Sequence, residues 1–265
     1  MLKEKGGQLT LFVIIAIVVV LSIIVYFYFQ GDFLGEKKYD PKVEVLRQNV
    51  LDCFNNNYGT ALALIGIQGG YYDVPDPKEE IIANYLSYNS LPYYYYEGEL
   101  NIPTIETIEN QLGLLADNSV PSCFENLNNE DYDSIDFSEF STDVEIKENE
   151  VIFTTNVNMN VGYDDKSAIV NFQKTPQTIN SDIFNMHEIA LFITEYIKNN
   201  NEWVPYSDIT QKSREYNLYV NIIDSDDGTE SNVEILSPKN GFYPSLYQFK
   251  NKYGVANYED IAPLL

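Results

Sequence analysis

Residues 144–172, VEIKENEVIFTTNVNMNVGYDDKSAIVNF, decide the fold class. Three runs rich in Val, Ile and Phe, at 144–146, 151–161 and 168–172, are separated by the polar pairs Glu148-Asn149 and Asp164-Asp165. Loose alternation inside the runs, with turn-forming residues between them, predicts a β-meander. On its C-terminal side Ile183, Met186, Ala190, Ile193 and Ile197 recur at helical spacing, predicting a helix from Ser181 or Asp182 to about Asn199. A short helix over Ser207 to Arg214 and strands at Leu218 to Ile223, Val233 to Leu236 and Ser245 to Tyr253 complete a subdomain over 142–256, followed by a tail at 257–265.

Before the meander lies an acidic spacer, 128–141, opening with Asn128-Asn129-Glu130-Asp131-Tyr132-Asp133. Ahead of it, 40–127 has helical character. Asp40 caps and Pro41 occupies the first turn of a helix whose Val43, Leu46, Val50, Leu51 and Phe54 repeat every three or four residues. Asn55-Asn56-Asn57 predicts a break, Thr60 to Ile67 a continuation, and Gly69-Gly70 the stop. Residues 71–102, with Pro75, Pro77, Pro92 and the run Tyr93 to Tyr96, read as irregular. A second helix opens at Thr104, with Ile105, Ile108, Leu112 and Leu115 on one face, and Pro121 kinks or ends it before Cys123. Helices and strands in segregated runs indicate an α+β domain with an antiparallel sheet rather than a parallel βαβ fold.

At the other end, Thr10 to Phe29 contains no charged residue. Such a run spans about 30 Å as a helix, the thickness of one hydrocarbon core, and predicts a single transmembrane helix in contact with lipid. It is longer than the apolar region of a cleaved secretory signal and leaves through Tyr26, Phe27, Tyr28 and Phe29, an interfacial belt suited to a retained anchor. Lys3 and Lys5 precede it and Lys37 and Lys38 follow it, so positive charge alone does not orient the helix. A short tail at 1–9 and a large domain beyond the linker 30–39 are most simply placed with the N-terminus cytoplasmic and the C-terminal domain extracellular.

The chain carries 40 Asp and Glu against 16 Lys and Arg, a net charge of −24. Binding a phosphate backbone requires cations to replace its counterions, so nucleic acid is excluded as a partner. Cys53 and Cys123 fall one in each predicted helical stretch. A disulfide between them is the natural pairing outside the cytoplasm, with two buried free thiols as the alternative.

Two resemblances add to this reading. Lys5-Gly6-Gly7-Gln8-Leu9-Thr10, running directly into the apolar stretch, resembles an archaeal type IV pilin-like (class III) signal, which implies processing around Gly6, Gly7 and Gln8. It departs from that pattern in its second Gly and in having Phe12 where a mature pilin commonly has Glu. The exterior part resembles membrane-anchored ectodomain proteins of nanoarchaeal-type archaea, through Leu51-Asp52-Cys53, Leu64 to Tyr71, Leu91 to Tyr96, Val120-Pro121-Ser122-Cys123 and Tyr247 to Tyr253. That likeness implies a cell-envelope location and a paired Cys53 and Cys123, and brings no activity with it.

Candidate chemistry is sparse. His187 is the single histidine and has no nucleophile motif beside it, so a packed helix residue is the simpler reading. One His and two distant Cys do not make a zinc site. Asp224-Ser225-Asp226-Asp227-Gly228 suggests a calcium loop, but its Gly comes one position early and Ile235 stands where the closing Glu belongs, so a hairpin turn is expected. Gly66, Gly69 and Gly70 follow a helix, the wrong order for a phosphate cradle. Tyr93, Tyr94, Tyr95 and Tyr96 are candidates for an interaction surface, against packing of alternate rings on the helices. These observations favour a non-catalytic membrane-anchored envelope protein without cofactor or metal. Its extracellular domain would bind another envelope protein, a glycan or itself, with pilin-like assembly open to it. The alternatives are an anchored surface hydrolase using carboxylates and an accessory factor for secretion or envelope assembly.

Overall fold

The computed structural model describes residues 17–22, 39–72, 91–125, 127, 132–200 and 203–254. The chain divides into two compact units, 1–44 and 45–265. No helix among the described residues is long and apolar enough to cross a membrane. Of the predicted span 10–29 only 17–22 lies among them, as a helical stretch with exposed apolar side chains. The rest of that span, Gly6, Gly7 and Gln8, residues 30–38 and the tail 257–265 lie outside the described residues. In the first unit Asp40 caps as expected, its carboxylate accepting the Lys42 N–H at 3.1 Å and its carbonyl the Glu44 N–H at 2.9 Å.

Helix α1, Pro41–Ile67, is continuous, which corrects the break expected at Asn55-Asn56-Asn57. Tertiary packing overrides the weak local propensity of the asparagines. Asn57 turns inward, its amide donating to Ser119 O at 3.1 Å and reaching Cys123 Sγ at 3.2 Å. Phe54 and Tyr58 lie on the buried face. Past Ile67 the chain turns through Gly69 and Gly70, both at positive φ, and the Gly70 N–H closes back on Ile65 O at 2.8 Å. This six-to-one bond is the Schellman stop, so these glycines end a helix.

The remainder of the described chain is α+β. Strands β1 (Tyr93–Tyr96) and β2 (Glu99–Leu100) precede helices α2 (Ile105–Ser119) and α3 (Ser122–Glu125). Strands β3 (Ser134–Phe137), β4 (Ser141–Ile146), β5 (Glu150–Asn156), β6 (Asn158–Tyr163), β7 (Lys166–Asn171) and β8 (Gln177–Asn180) follow. Helices α4 (Ile183–Asn199) and α5 (Tyr206–Glu215) then lead into β9 (Tyr219–Asp224), β10 (Glu230–Leu236) and β11 (Leu246–Lys252). The strands form a five-stranded sheet in the order β2-β1-β11-β10-β9 and two three-stranded sheets, β3-β6-β7 and β4-β5-β8. All pairs are antiparallel except β1 with β11, which run parallel.

The expected hairpin turns are present. Asp164 and Asp165 both take positive φ, the geometry of a two-residue hairpin turn, and the Lys147 N–H bonds Glu150 O around Glu148-Asn149. Four differences stand out. Residues 151–161 divide at buried Val157 into strands of two different sheets. The spacer 128–141 contains β3, which pairs with β6. Residues 177–180 add β8 beside β5. The tyrosine run read as irregular is β1, with Pro92 just ahead of the strand, where its missing N–H removes no ladder bond.

The small sheets meet the α1 stripe through aromatic rings. Tyr58 stacks on Phe153 at 4.2 Å between centroids, and Phe54 packs against Phe172 at 5.4 Å and Phe124 at 5.9 Å. Helix α2 covers the outer edge of β4, where Glu109 accepts the Ile146 N–H at 2.8 Å and a Cβ on Gly113 would stand 2.8 Å from Thr142 O. Helix α4 lies against β1, β2 and β11, and α5 against α4 and β9. Cys53 and Cys123 form a disulfide with Cα atoms 5.7 Å apart, joining α1 to α3.

The crosslink spans 70 positions, a loop whose closure removes about 4 kcal/mol of freedom from the unfolded chain. Replacing both cysteines with Ser is expected to lower the unfolding free energy by roughly 2–5 kcal/mol in denaturant titration, with native secondary structure retained in buffer.

Candidate interaction surface

β9 is the end strand of the five-stranded sheet. Its register with β10 pairs Tyr219 with Leu236, Asn221 with Glu234 and Ile223 with Asn232. The Ser225 N–H bonds Glu230 O at 2.9 Å, and alternation along an antiparallel ladder makes those three pairs the hydrogen-bonded ones. The N–H and C=O groups of Val220, Ile222 and Asp224 therefore point away from β10, towards an edge that no strand among the described residues pairs.

Large side chains flank this edge. Tyr219 is 63% exposed and Ile223 47%, both on the face opposite the buried Val233 and Ile235. At the start of α5, Trp203 is 61% exposed and Tyr206 53%. The Trp203 ring leans on Tyr196 at 5.8 Å, and the Tyr206 hydroxyl donates to Asp224 Oδ2 at 3.3 Å, which ties α5 to the strand. Burial, then the Asp224 charge, pushes the Tyr206 phenol up, so it stays a neutral donor. Lys212 lies over the Phe192 ring at 5.3 Å and the Tyr216 ring at 5.9 Å. Such contacts place cationic and aromatic surface beside the outer edge of β9.

The residues singled out in the sequence lie elsewhere. Of the candidates Tyr93, Tyr94, Tyr95 and Tyr96, the first three are buried and Tyr96 is half-buried, which agrees with the packing alternative rather than with an open aromatic surface. Tyr94 stacks on Phe249 at 4.4 Å, and burial pushes its phenol far up. Tyr93 donates to Glu230 at 2.8 Å, and Tyr96 receives Lys252 both through its hydroxyl at 3.3 Å and over its ring at 4.8 Å. Asp227 sits in the β9–β10 hairpin and accepts from Ser225 Oγ at 2.6 Å, Thr229 Oγ1 at 2.8 Å and the Thr229 N–H at 3.1 Å. The Ser225 bond, then those from Thr229, hold its carboxyl down at about 2. That oxygen is thus engaged by its own turn. Gly66 serves close packing, since a Cβ there would overlap Leu246 O and the Pro244 ring.

Three buried polar groups escaped the sequence reading. The Asp182 side chain is fully buried and accepts from Lys239 Nζ and Ser237 Oγ, both at 2.6 Å. This clamp fastens the β10–β11 loop to the start of α4. No local spacing announces it, because the partners lie 55 and 57 positions away. A second chain runs from Tyr58 through Thr155 to Thr142, at 2.5 and 3.0 Å, and ends on Asp117. Desolvation raises the Asp117 carboxyl despite its bonds to Thr142, and burial lifts Tyr58 to about 12. Third, Asn251 is fully buried, and neither side-chain amide atom has a partner among the described residues. No cluster of three His, Cys, Asp or Glu suited to a metal occurs among the described residues.

Neither a protein-family model, a curated protein nor a solved structure matches this chain.

His187 is buried in α4, and its Nε2 lies 2.7 Å from Pro103 O. A carbonyl only accepts, so Nε2 carries the proton and Nδ1, which has no partner among the described residues, is bare. Burial lowers its affinity for a second proton below the ordinary 6.5. The unfolded chain therefore gains a proton first as pH falls, and this contribution to stability, complete above 6.5, is lost on acidification. Thermal unfolding between pH 8 and 5.5 is expected to show a smaller acid-side fall for His187→Gln than for the unchanged chain. For the clamp, Lys239→Met is expected to cost about 3–5 kcal/mol in denaturant unfolding, because it strands the Asp182 charge in the interior.

Proposed function

We propose that this chain is a membrane-anchored envelope protein whose exterior α+β domain works by binding, with residues 10–29 as its anchor and its N-terminus in the cytoplasm. The observation that carries the binding reading is the open β9 edge with Trp203, Tyr206, Tyr219 and Ile223 around it. An extended partner segment would satisfy the outward N–H and C=O groups, and the rings supply large contact area at small entropic cost. The uncharged run at 10–29 supports the anchor. The disulfide supports placement outside the cytoplasm. The pilin-like start at Lys5-Gly6-Gly7-Gln8 supports assembly with other envelope components.

Photo-crosslinking of the full chain in its own membranes tests this reading. With benzoylphenylalanine at position 203 or 219, adducts are expected at both sites and absent at position 169, an exposed position on β7. Absence of adducts at both 203 and 219 would overturn the proposal.

A further inference from the structure

Resting on that binding reading, we infer that the occupant of the β9 edge is β9 of a second copy of this chain. The two strands pair antiparallel about a two-fold axis through Asn221 and join two five-stranded sheets into one.

The edge itself is unusual within the molecule. β2 is two residues long, β3 and β8 four each, β4 is covered by α2, and β7 opens with Lys166. Short length, a covering element and an edge lysine are the ordinary devices that keep strands from pairing with other chains. β9 has six residues, Tyr-Val-Asn-Ile-Ile-Asp, with neither Lys nor Pro.

Register selects the partner. Only Val220, Ile222 and Asp224 offer outward backbone groups, so a new strand must place its hydrogen-bonded pairs at those positions. A two-fold at Asn221 pairs Val220 with Ile222 of the second copy on one face and Tyr219 with Ile223 on the other. Asp224 then faces Leu218, and within the two strands no charge meets a like charge. A two-fold at Ile222 would set Val220 against Asp224 and Asn221 against Ile223. One at Ile223 would set Ile222 against Asp224 and Tyr219 against Asp227. The Asn221 register alone matches apolar with apolar on both faces.

Charge along the strand is low enough to admit a copy. Although the chain carries −24, α5 beside this edge balances Asp208 and Glu215 with Lys212 and Arg214, and β9 contributes only the terminal Asp224.

The geometry gives a register-specific test in the full chain. Asn221 would lie opposite itself in a non-hydrogen-bonded pair, with Cα atoms about 4.5 Å apart, within reach of a disulfide. Because both native cysteines are already bonded to each other, an added thiol has no native competitor. Asn221→Cys in native membranes under mild oxidation is expected to give a reductant-sensitive dimer on gels. Tyr219→Cys and Ile223→Cys should each stay monomeric alone and crosslink when co-expressed. Val220→Pro removes one outward N–H per copy without touching the β10 ladder, and is expected to weaken dimerisation of the detergent-extracted full chain by about 10–100-fold while its melting stays cooperative. Dimers formed equally at all three cysteine positions, or at none, would overturn the Asn221 pairing. Monomeric Asn221→Cys together with a photo-adduct at 219 to a different protein would overturn self-pairing and keep the binding reading. Monomeric Asn221→Cys with no photo-adduct would overturn both.

Discussion

The fold closes on a chain of three groups. Tyr247 gives its hydroxyl proton to Tyr94, 2.5 Å away, and Tyr94 gives its own to Gly69 O at 2.8 Å. A phenol has one proton, so once Tyr94 serves Gly69 the direction of the Tyr247 bond is fixed. The three groups belong to the chain just past α1, to β1 and to β11, and the two tyrosines lie 153 positions apart. Through them the end of the long helix, the parallel β1–β11 pair and the last strand become mutually dependent. Burial pushes both phenols well up, so the bonds persist across the pH range in which a protein works. The arrangement also explains Gly70, whose added Cβ would stand 3.0 Å from both Ile108 and the Tyr247 oxygen.

What local chemistry dictates was legible in the sequence. The Asp40-Pro41 helix start, the Gly69-Gly70 stop, the Asp164-Asp165 hairpin and the periodic helix at 183–199 all follow from residue types acting within a few positions. The cysteine pair was legible because a chain with two cysteines leaves few options. What depends on distant partners was not. α1 runs through three asparagines because Ser119 O, 62 positions on, takes the amide of Asn57. β3 and β8 are four residues each, too short for alternation to register, and exist because β6 and β5 offer them ladders. The tyrosine run announced aromatic surface, but burial is decided by what packs on it, and here that is Phe249 and Tyr247.

The same division applies to the candidate surface. The strand at 218–223 and the helix before it were both expected, yet nothing in either run tells an edge strand from a central one. Edge status comes from sheet order, and β1 inserts beside β11 on the far side, leaving β9 as the terminus. Once that order is known, the sequence regains meaning. The absence of Lys and Pro from β9, unremarkable in an interior strand, becomes a missing safeguard at an edge.

A net charge of −24 opposes self-pairing in general. Beyond about 8 Å at physiological salt, however, exposed charges are largely screened, so the repulsion that counts is local to the contact. Along β9 itself the charge is the terminal Asp224 and α5 is balanced, while Asp226 and Asp227 sit in the hairpin at the strand's end and Glu234 lies on β10 opposite Asn221. Repulsion from the remaining acidic surface opposes every other orientation in which two copies could meet. An acidic shell with one strand edge that carries a single charge at its end thus restricts where association can occur. The global charge supplies specificity against wrong contacts, while the ladder bonds and the paired apolar side chains supply the attraction.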